Sequence, residues 1–265
     1  MMIGMRTRNT RWAVVIFVFF VVLPISAIFV SRGGKEETIW FGDRRYSARE
    51  IFPDPTVAEL AEAATKESIG DMDRLISNGV NLNYIGKFDY APIMWAIETG
   101  SLKGCQELLA HGARLDIQSH HSMSAMALAS GPASGNGFLE LALKHGGNPD
   151  FAEADSGDTP LFFAIRSGEV QRVEMLIKAG ANVNARNNRQ VTPLIECAVT
   201  TEYKCALMLL RNGADYHLKD FTNSDFPDAM RFDRRPPWWM PSYWWRKRVV
   251  EYLGNANNSV RRGKP

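Results

Sequence analysis

Cysteine is scarce in this sequence: three residues among 265, none of them in a C-x-x-C pair. So few thiols exclude a fold built on disulfides, and their spacing predicts neither a zinc site nor a dithiol redox centre. The P-loop, the G-x-S-x-G elbow and the H-E-x-x-H helix are also missing from the sequence. Since these motifs carry common catalytic chemistry, we predict a protein that is not an enzyme and needs no cofactor or metal.

Charge is nearly balanced overall, at +2, but it is unevenly distributed. Residues 1–35 carry five basic side chains and no acid, and residues 231–265 carry a net charge of +7. The residues between them, 36–230, therefore carry −10. An acidic body argues against nucleic acid as its partner and favours a basic protein, while the basic ends favour anionic lipid.

One long apolar run is present, from Trp12 to Val30, and three arginines precede it. Its 19 uncharged residues are close to the ~20 that a helix needs to cross a bilayer. Because a basic flank stays in the cytoplasm, the run predicts a single-pass inner-membrane anchor with a cytoplasmic N-terminus and a periplasmic body. A signal peptide cleaved near Ala27 and a buried core helix are the alternatives.

A repeat of 33 or 34 residues runs through the rest of the chain. A glycine follows a leucine-rich segment five times, at Gly79, Gly112, Gly146, Gly180 and Gly213. A proline stands 20 residues before three of these glycines, at Pro92, Pro160 and Pro193. Thr159 and Thr192 are placed to cap helices that begin at the next proline, and each glycine is suited to end a helix in the left-handed conformation.

These two markers resemble the ankyrin repeat, over about residues 57–220. The resemblance implies an all-α solenoid of about five helix-turn-helix repeats with capping segments, in addition to the N-terminal transmembrane helix. The opening histidine of the family is replaced by Met94, Phe162 and Ile195. The third repeat contains the stretch Gly131–Gly137, which we expect to be a flexible break and a contact site. The predicted domains are an anchor or signal segment (1–31), a juxtamembrane linker (32–56), the repeats (57–222) and a Trp/Arg-rich cap (223–265).

Partners of ankyrin proteins commonly bind the concave face, which is built from turn tips and first helices. Trp95 and Phe163 occupy one first-helix position, where they either form a row of exposed aromatics or pack against neighbouring helices. The candidate partner-binding residues lie on first helices and on three tips: Trp95, Glu98, Phe163, Arg166, Glu196, Lys87, Phe88, Tyr90, His120, His121, Arg186 and Arg189.

Three features have competing interpretations. The pair His120-His121 is either a polar tip or part of a metal site without a visible third ligand. Cys197 and Cys205 are either buried thiols, a disulfide in an exported compartment, or a nucleophile without a supporting base. The tryptophans of residues 238–245 either cover the last repeat, dock at lipid headgroups, or bind a partner.

The anchor, the segment Ile39 to Ala64 and the repeats together resemble exported bacterial ankyrin proteins. Some of these are immunity proteins that block phospholipase effectors of the type VI secretion system at the inner membrane. The resemblance implies a protein-binding module whose partner is a phospholipase effector. A periplasmic scaffold or regulator of a resident protein is the alternative.

Overall fold

The computed structural model describes residues 38–41, 44–117, 123–132, 134–232 and 236–261. The predicted anchor, residues 12–30, and the pair His120-His121 lie outside these ranges. Among the helices that the structure describes, none combines the length and the apolar character needed to cross a membrane.

Five helical pairs make up the repeat region of the described chain. They are α2 (Pro55–Thr65) with α3 (Ile69–Ser77), α4 (Pro92–Glu98) with α5 (Leu102–Ala110), α6 (Ala125–Ser130) with α7 (Asn136–Lys144), α8 (Pro160–Arg166) with α9 (Val170–Lys178), and α10 (Pro193–Val199) with α11 (Tyr203–Arg211). The first helices of the pairs contact one another in an inner layer, and the second helices form an outer layer. The predicted helical solenoid is therefore confirmed.

The ends of the repeats follow the local sequence, with one exception. All five closing glycines have positive φ values, between 80° and 91°, a region that side chains with a Cβ seldom enter. Thr192 caps α10 by accepting a hydrogen bond from the Ile195 amide at 3.2 Å. The cap predicted at Thr159 is not formed, although Pro160 still opens α8.

The core lies between the two layers and between neighbouring repeats. Small side chains recur at one inner-helix position, and all are almost fully buried: Ala96, Ala129, Ala164 and Ala198. Outer-layer leucines such as Leu108 and Leu176 close the interior from the other side and are fully buried. A single helical pair cannot bury both of its flanks, so each repeat depends on its neighbours for stability.

Within the segment expected to be a linker, residues 38–41 and 44–52 are folded. Strands β1 (Thr38–Phe41) and β2 (Arg44–Ser47) pair antiparallel, and the short helix α1 (Ala48–Ile51) follows. Ile39, Ile51 and Phe52 are buried, and the Phe52 ring lies 6.2 Å from that of Trp95. The solenoid is all-helical as expected, but this hairpin precedes it and covers the flank of the first repeats.

The other end of the solenoid is covered by α12 (Phe226–Phe232), which packs on α10, and α13 (Pro241–Arg261), which packs on α11. Phe226, Met230 and Val249 are buried there. The Tyr252 hydroxyl donates to the Leu210 carbonyl at 3.2 Å. A C-terminal cap is thus present in the structure, built by these side chains.

Candidate protein-binding surface

Four loops of the described chain project beside the starts of the inner helices, and we call them the finger tips: residues 84–90, 152–158, 186–190 and 219–223. The last three are joined in a row by hydrogen bonds. The Asn188 amide donates to the Ser156 carbonyl at 2.9 Å, and the Phe221 amide donates to the Arg189 carbonyl at 3.1 Å. These three tips therefore form one continuous edge rather than separate loops.

A buried polar network beneath the tips fixes their shape. The Arg166 guanidinium binds Asp158 at 2.7 Å and Glu196 at 2.6 Å. Asn187, almost fully buried, donates to the second oxygen of Asp158 at 2.8 Å. The side-chain oxygen Oδ1 of Asn187 accepts from the backbone amides of Arg189 and Val191, each at 3.0 Å. Because every member has a partner, the network holds the 186–190 tip in one conformation.

Charge pairing offsets the cost of burying the arginine in this network. Desolvation by itself lowers the pKa of Arg166, but the nearby charges of Glu196 and Asp158 outweigh it, and the pKa is raised above its ordinary value. The guanidinium is therefore permanently charged. Arg166 and Glu196, both predicted to face a partner, bind each other instead and act as internal supports.

The expected row of exposed aromatics is absent from the described inner face. Trp95 is only 1% exposed, and its indole nitrogen donates to the Thr65 hydroxyl at 2.9 Å. Phe163 is also buried. Each inner helix lies between two others, so this position packs against a neighbouring helix. The packing interpretation of these two aromatics is the correct one.

Glu98 and Tyr90 also lie in the interior rather than on the surface. Desolvation raises the pKa of Glu98 to about 7, although interaction with the Tyr90 hydroxyl lowers it in part. Desolvation and the nearby Glu98 carboxylate raise the pKa of Tyr90 well above its ordinary value. Neither side chain is presented on the surface of the chain, contrary to the expectation that both would face a partner.

The remaining predicted residues of the described chain do lie at the tips. Lys87 and Arg186 are exposed, and Arg189 is half-buried. Phe88 is half-buried as well, because its ring packs edge-on against Tyr46 of the hairpin, with centroids 5.2 Å apart. The Arg186 guanidinium also donates to the Lys219 carbonyl on the next tip, and its side chain remains exposed.

Two exposed apolar side chains at the tips were missed by sequence reasoning. Ile85 is exposed on the first tip, and Phe221 is 57% exposed on the last. The repeat period could have located Phe221, because a step of 33 residues from Arg186–Arg189 leads to residues 219–222. An aromatic side chain beside Arg186 is typical of residues that contribute strongly to protein–protein binding.

The stretch Gly131–Gly137, expected to be a flexible break, is held by an arginine from the next repeat. The buried Arg172 guanidinium donates to the carbonyls of Gly131 and Ser134 and, at 3.0 Å, to the Asn136 side chain. These bonds satisfy carbonyl groups where α6 ends. The described part of this loop is therefore tied to α9.

The cysteines are structural in this fold. Cys105, Cys197 and Cys205 are all buried and free, so the disulfide interpretation is wrong. Desolvation raises the pKa of Cys105 and of Cys205 to about 12, and that of Cys197 well above its ordinary value. A nucleophilic thiol requires the opposite shift in pKa.

One group of side chains, on α3, on α5 and at the residue that follows α5, could approach a metal ion. Asp73, Glu107 and His111 have ligand atoms within 4.8 Å of one another. All three are at least partly exposed, and Nδ1 of His111 already lies 3.1 Å from Oε1 of Glu107. Exposed groups of this kind are ordinary surface pairs, and we assign no metal site to them.

Comparison with known proteins agrees with this geometry. A family model of ankyrin repeats (three copies) matches residues 125–220. The chain is 26% identical, over 66% of its length, to the ankyrin repeat and KH domain-containing protein CBG24701 of Caenorhabditis briggsae, and the match spans 6% of that protein. What that large protein does as a whole is therefore not transferred to this chain.

Solved structures show the same architecture. The ankyrin repeat domain of Bcl-3 aligns with a TM-score of 0.60 at 22% identity, over 64% of this chain and 76% of that one. The ankyrin repeat protein EF0377 aligns with a TM-score of 0.61 at 19% identity, over 74% of this chain and 97% of that one. The chain thus contains ankyrin repeats, and its described repeat region folds as an ankyrin-repeat solenoid.

Proposed function

We propose that this chain is an exported, membrane-anchored immunity protein that binds and blocks a lipase effector of the type VI secretion system. The observation that best supports a binding role is the row of finger tips, which the Arg166 network holds in place. Exposed side chains such as Arg186 and Phe221 are presented there on a backbone that is already ordered. A preorganised surface loses little conformational entropy when it binds. Blocking an enzyme by occlusion requires no catalytic group.

The choice of a lipase is supported by the N-terminal part of the chain. The sequence Ile39 to Ala64, which carries the resemblance to exported immunity proteins, forms the hairpin, α1 and most of α2. A tether at residues 12–30 would place the tips beside the bilayer that a lipase attacks and would raise their effective concentration there. The charge of −10 over residues 36–230 would speed capture of an effector with a basic face.

Inhibition of the purified effector tests this proposal. The proposal expects a lipase gene beside the gene for this chain. The readout is phospholipid hydrolysis by the product of that gene as the full chain is titrated in. We expect stoichiometric inhibition. Combining Arg186→Glu with Phe221→Ala should weaken inhibition at least about tenfold, since both side chains have the character of binding hot spots.

The matched control is Lys144→Glu, a charge reversal at an exposed position of the outer layer, which should inhibit as the natural chain does. Hydrolysis that continues unchanged with excess chain would reject the immunity role and favour a scaffold or regulator. Full inhibition by the tip variant would place the binding surface elsewhere on the molecule.

A further inference from the structure

The start of α13 and the residues just before it carry aromatic side chains that the rest of the C-terminal cap leaves uncovered. Trp238 and Trp239 are each 68% exposed, and Trp244 is 52% exposed. Their rings are not needed to close the solenoid, because Phe226, Met230 and Val249 already do so. We define the tryptophan surface as Trp238, Trp239, Met240, Trp244, Lys247 and Arg248.

Helical spacing separates this surface from the packed face of α13. Val249 and Tyr252 lie against α11, and Trp245 is partly buried beside them. Trp244 and Lys247, three residues apart, point away from that face and are exposed. The sequence expectation that the tryptophan rings cover the last repeat therefore holds only for Trp245.

Cations lie beside the exposed ring of Trp244 and beside the half-buried ring of Trp245. The Arg248 guanidinium lies 4.8 Å from the Trp245 ring centroid, and the Lys247 ammonium lies 5.8 Å from that of Trp244. Trp239, Trp244, Trp245 and Arg248, with Pro241, line a groove of about 440 Å³. The last 35 residues, which include this groove, carry a net charge of +7.

We propose that the tryptophan surface docks on an anionic phospholipid bilayer. Indole rings favour the headgroup layer, and lysine and arginine beside them are attracted to anionic lipid. A protein partner fits less well, because the cores of protein interfaces are depleted in lysine, whereas Lys247 borders Trp244 within this surface. This inference stands whether or not the finger tips bind a lipase.

A fluorescent reporter on the full chain tests the proposal. All three natural cysteines are buried, so an environment-sensitive dye can be attached to Met240→Cys alone. The labelled chain is mixed with vesicles whose acyl chains carry bromine as a quencher, made either from phosphatidylcholine or from phosphatidylcholine with phosphatidylglycerol. We expect quenching on the anionic vesicles, reduced by high salt because screening weakens the attraction.

Two variants assign the effect to the surface. Lys247→Glu with Arg248→Glu should reduce quenching on anionic vesicles about tenfold or more. Trp238→Ala with Trp239→Ala should reduce it on both types of vesicle. All four positions are exposed, and unchanged circular dichroism will confirm that the variants fold. As a control, the dye is attached to Lys144→Cys on the outer layer instead. This chain has the same residues 12–30, so a tether there would act on both labelled proteins, and the dye at position 144 should stay unquenched.

Several outcomes would overturn the proposal. An unquenched dye at position 240 on anionic vesicles would exclude docking. Equal quenching on neutral and anionic vesicles would remove the role of the basic side chains, and equal quenching at positions 144 and 240 would show that the tether alone brings the dye to lipid. A change of dye emission only on addition of a purified protein partner would identify a protein-binding surface instead.

Discussion

Arg166 and Glu196 join two neighbouring repeats, with 2.6 Å between the guanidinium Nε and the carboxylate Oε1. The same guanidinium reaches Asp158 at 2.7 Å, and both carboxylates are almost fully buried. Since Asp158 also accepts from Asn187, one arginine links two inner helices to two finger tips. The shape of the proposed binding edge thus depends on a side chain that a partner does not need to touch.

Arg166→Met should therefore be strongly destabilising. It leaves Asp158 and Glu196 charged and buried without their cation, a change that typically costs about 3–5 kcal/mol. Urea titration of the variant and of the natural chain measures this loss as a difference in the free energy of unfolding. Lys178→Met is the control, because Lys178 forms an exposed ion pair with Glu174, a kind worth less than about 1 kcal/mol. Equal losses in the two variants would contradict the role given to Arg166.

Glu98 should make stability depend on pH. Desolvation raises its pKa from 4.5 to about 7 on folding, so the native state holds this proton more tightly than the unfolded state does. The free energy of unfolding then falls as pH rises between these values, by up to about 3 kcal/mol, and is level outside them. In Glu98→Gln this contribution is lost. Urea titrations of both proteins across that range should diverge, and parallel curves would show that the carboxyl is not buried as described.

Arg172 should protect the Gly131–Gly137 loop from proteolysis. Arg172→Met leaves the carbonyls of Gly131 and Ser134 without their donor, so we expect local opening and faster cleavage there. The cleavage sites and rates can be read by mass spectrometry after limited digestion. Arg114→Met removes an exposed arginine that pairs with Asp116 and should leave the pattern unchanged. Identical digestion of all three proteins would mean that Arg172 does not hold the loop.

Periodicity predicts the repeats well, because it records a constraint that every unit shares. Each pair must end in a left-handed residue and must place a small side chain where inner helices meet, so glycine and alanine recur in phase. The position of Phe221 follows from the same period. The hairpin could not be found in this way, because the sequence of residues 38–47 is not repeated along the chain. The surface that it packs against, next to Trp95, exists only after folding.

The polar residues of the site were harder to predict for a different reason. Sequence identifies Arg166 and Glu196 as charged residues of inner helices, and charge favours exposure. Such a pair is either exposed to solvent or buried in an ion pair, and the tip that lies above it decides which. Here the covering residues, Asp158 and Asn187, come from two different tips. Tertiary packing therefore decides whether a charged residue contacts a partner or holds the tips in place. Neither the spacing of residues nor the composition contains that information.

Survival of bacteria that make, in their periplasm, the lipase effector expected to be encoded beside this gene tests the central claim most directly. Cells that also make the full chain should survive, and cells with the Arg186→Glu, Phe221→Ala variant should die at nearly the rate of unprotected cells. Cells with Lys144→Glu should survive, with all three proteins present at equal levels on immunoblots. Equal killing with and without the natural chain would contradict the account.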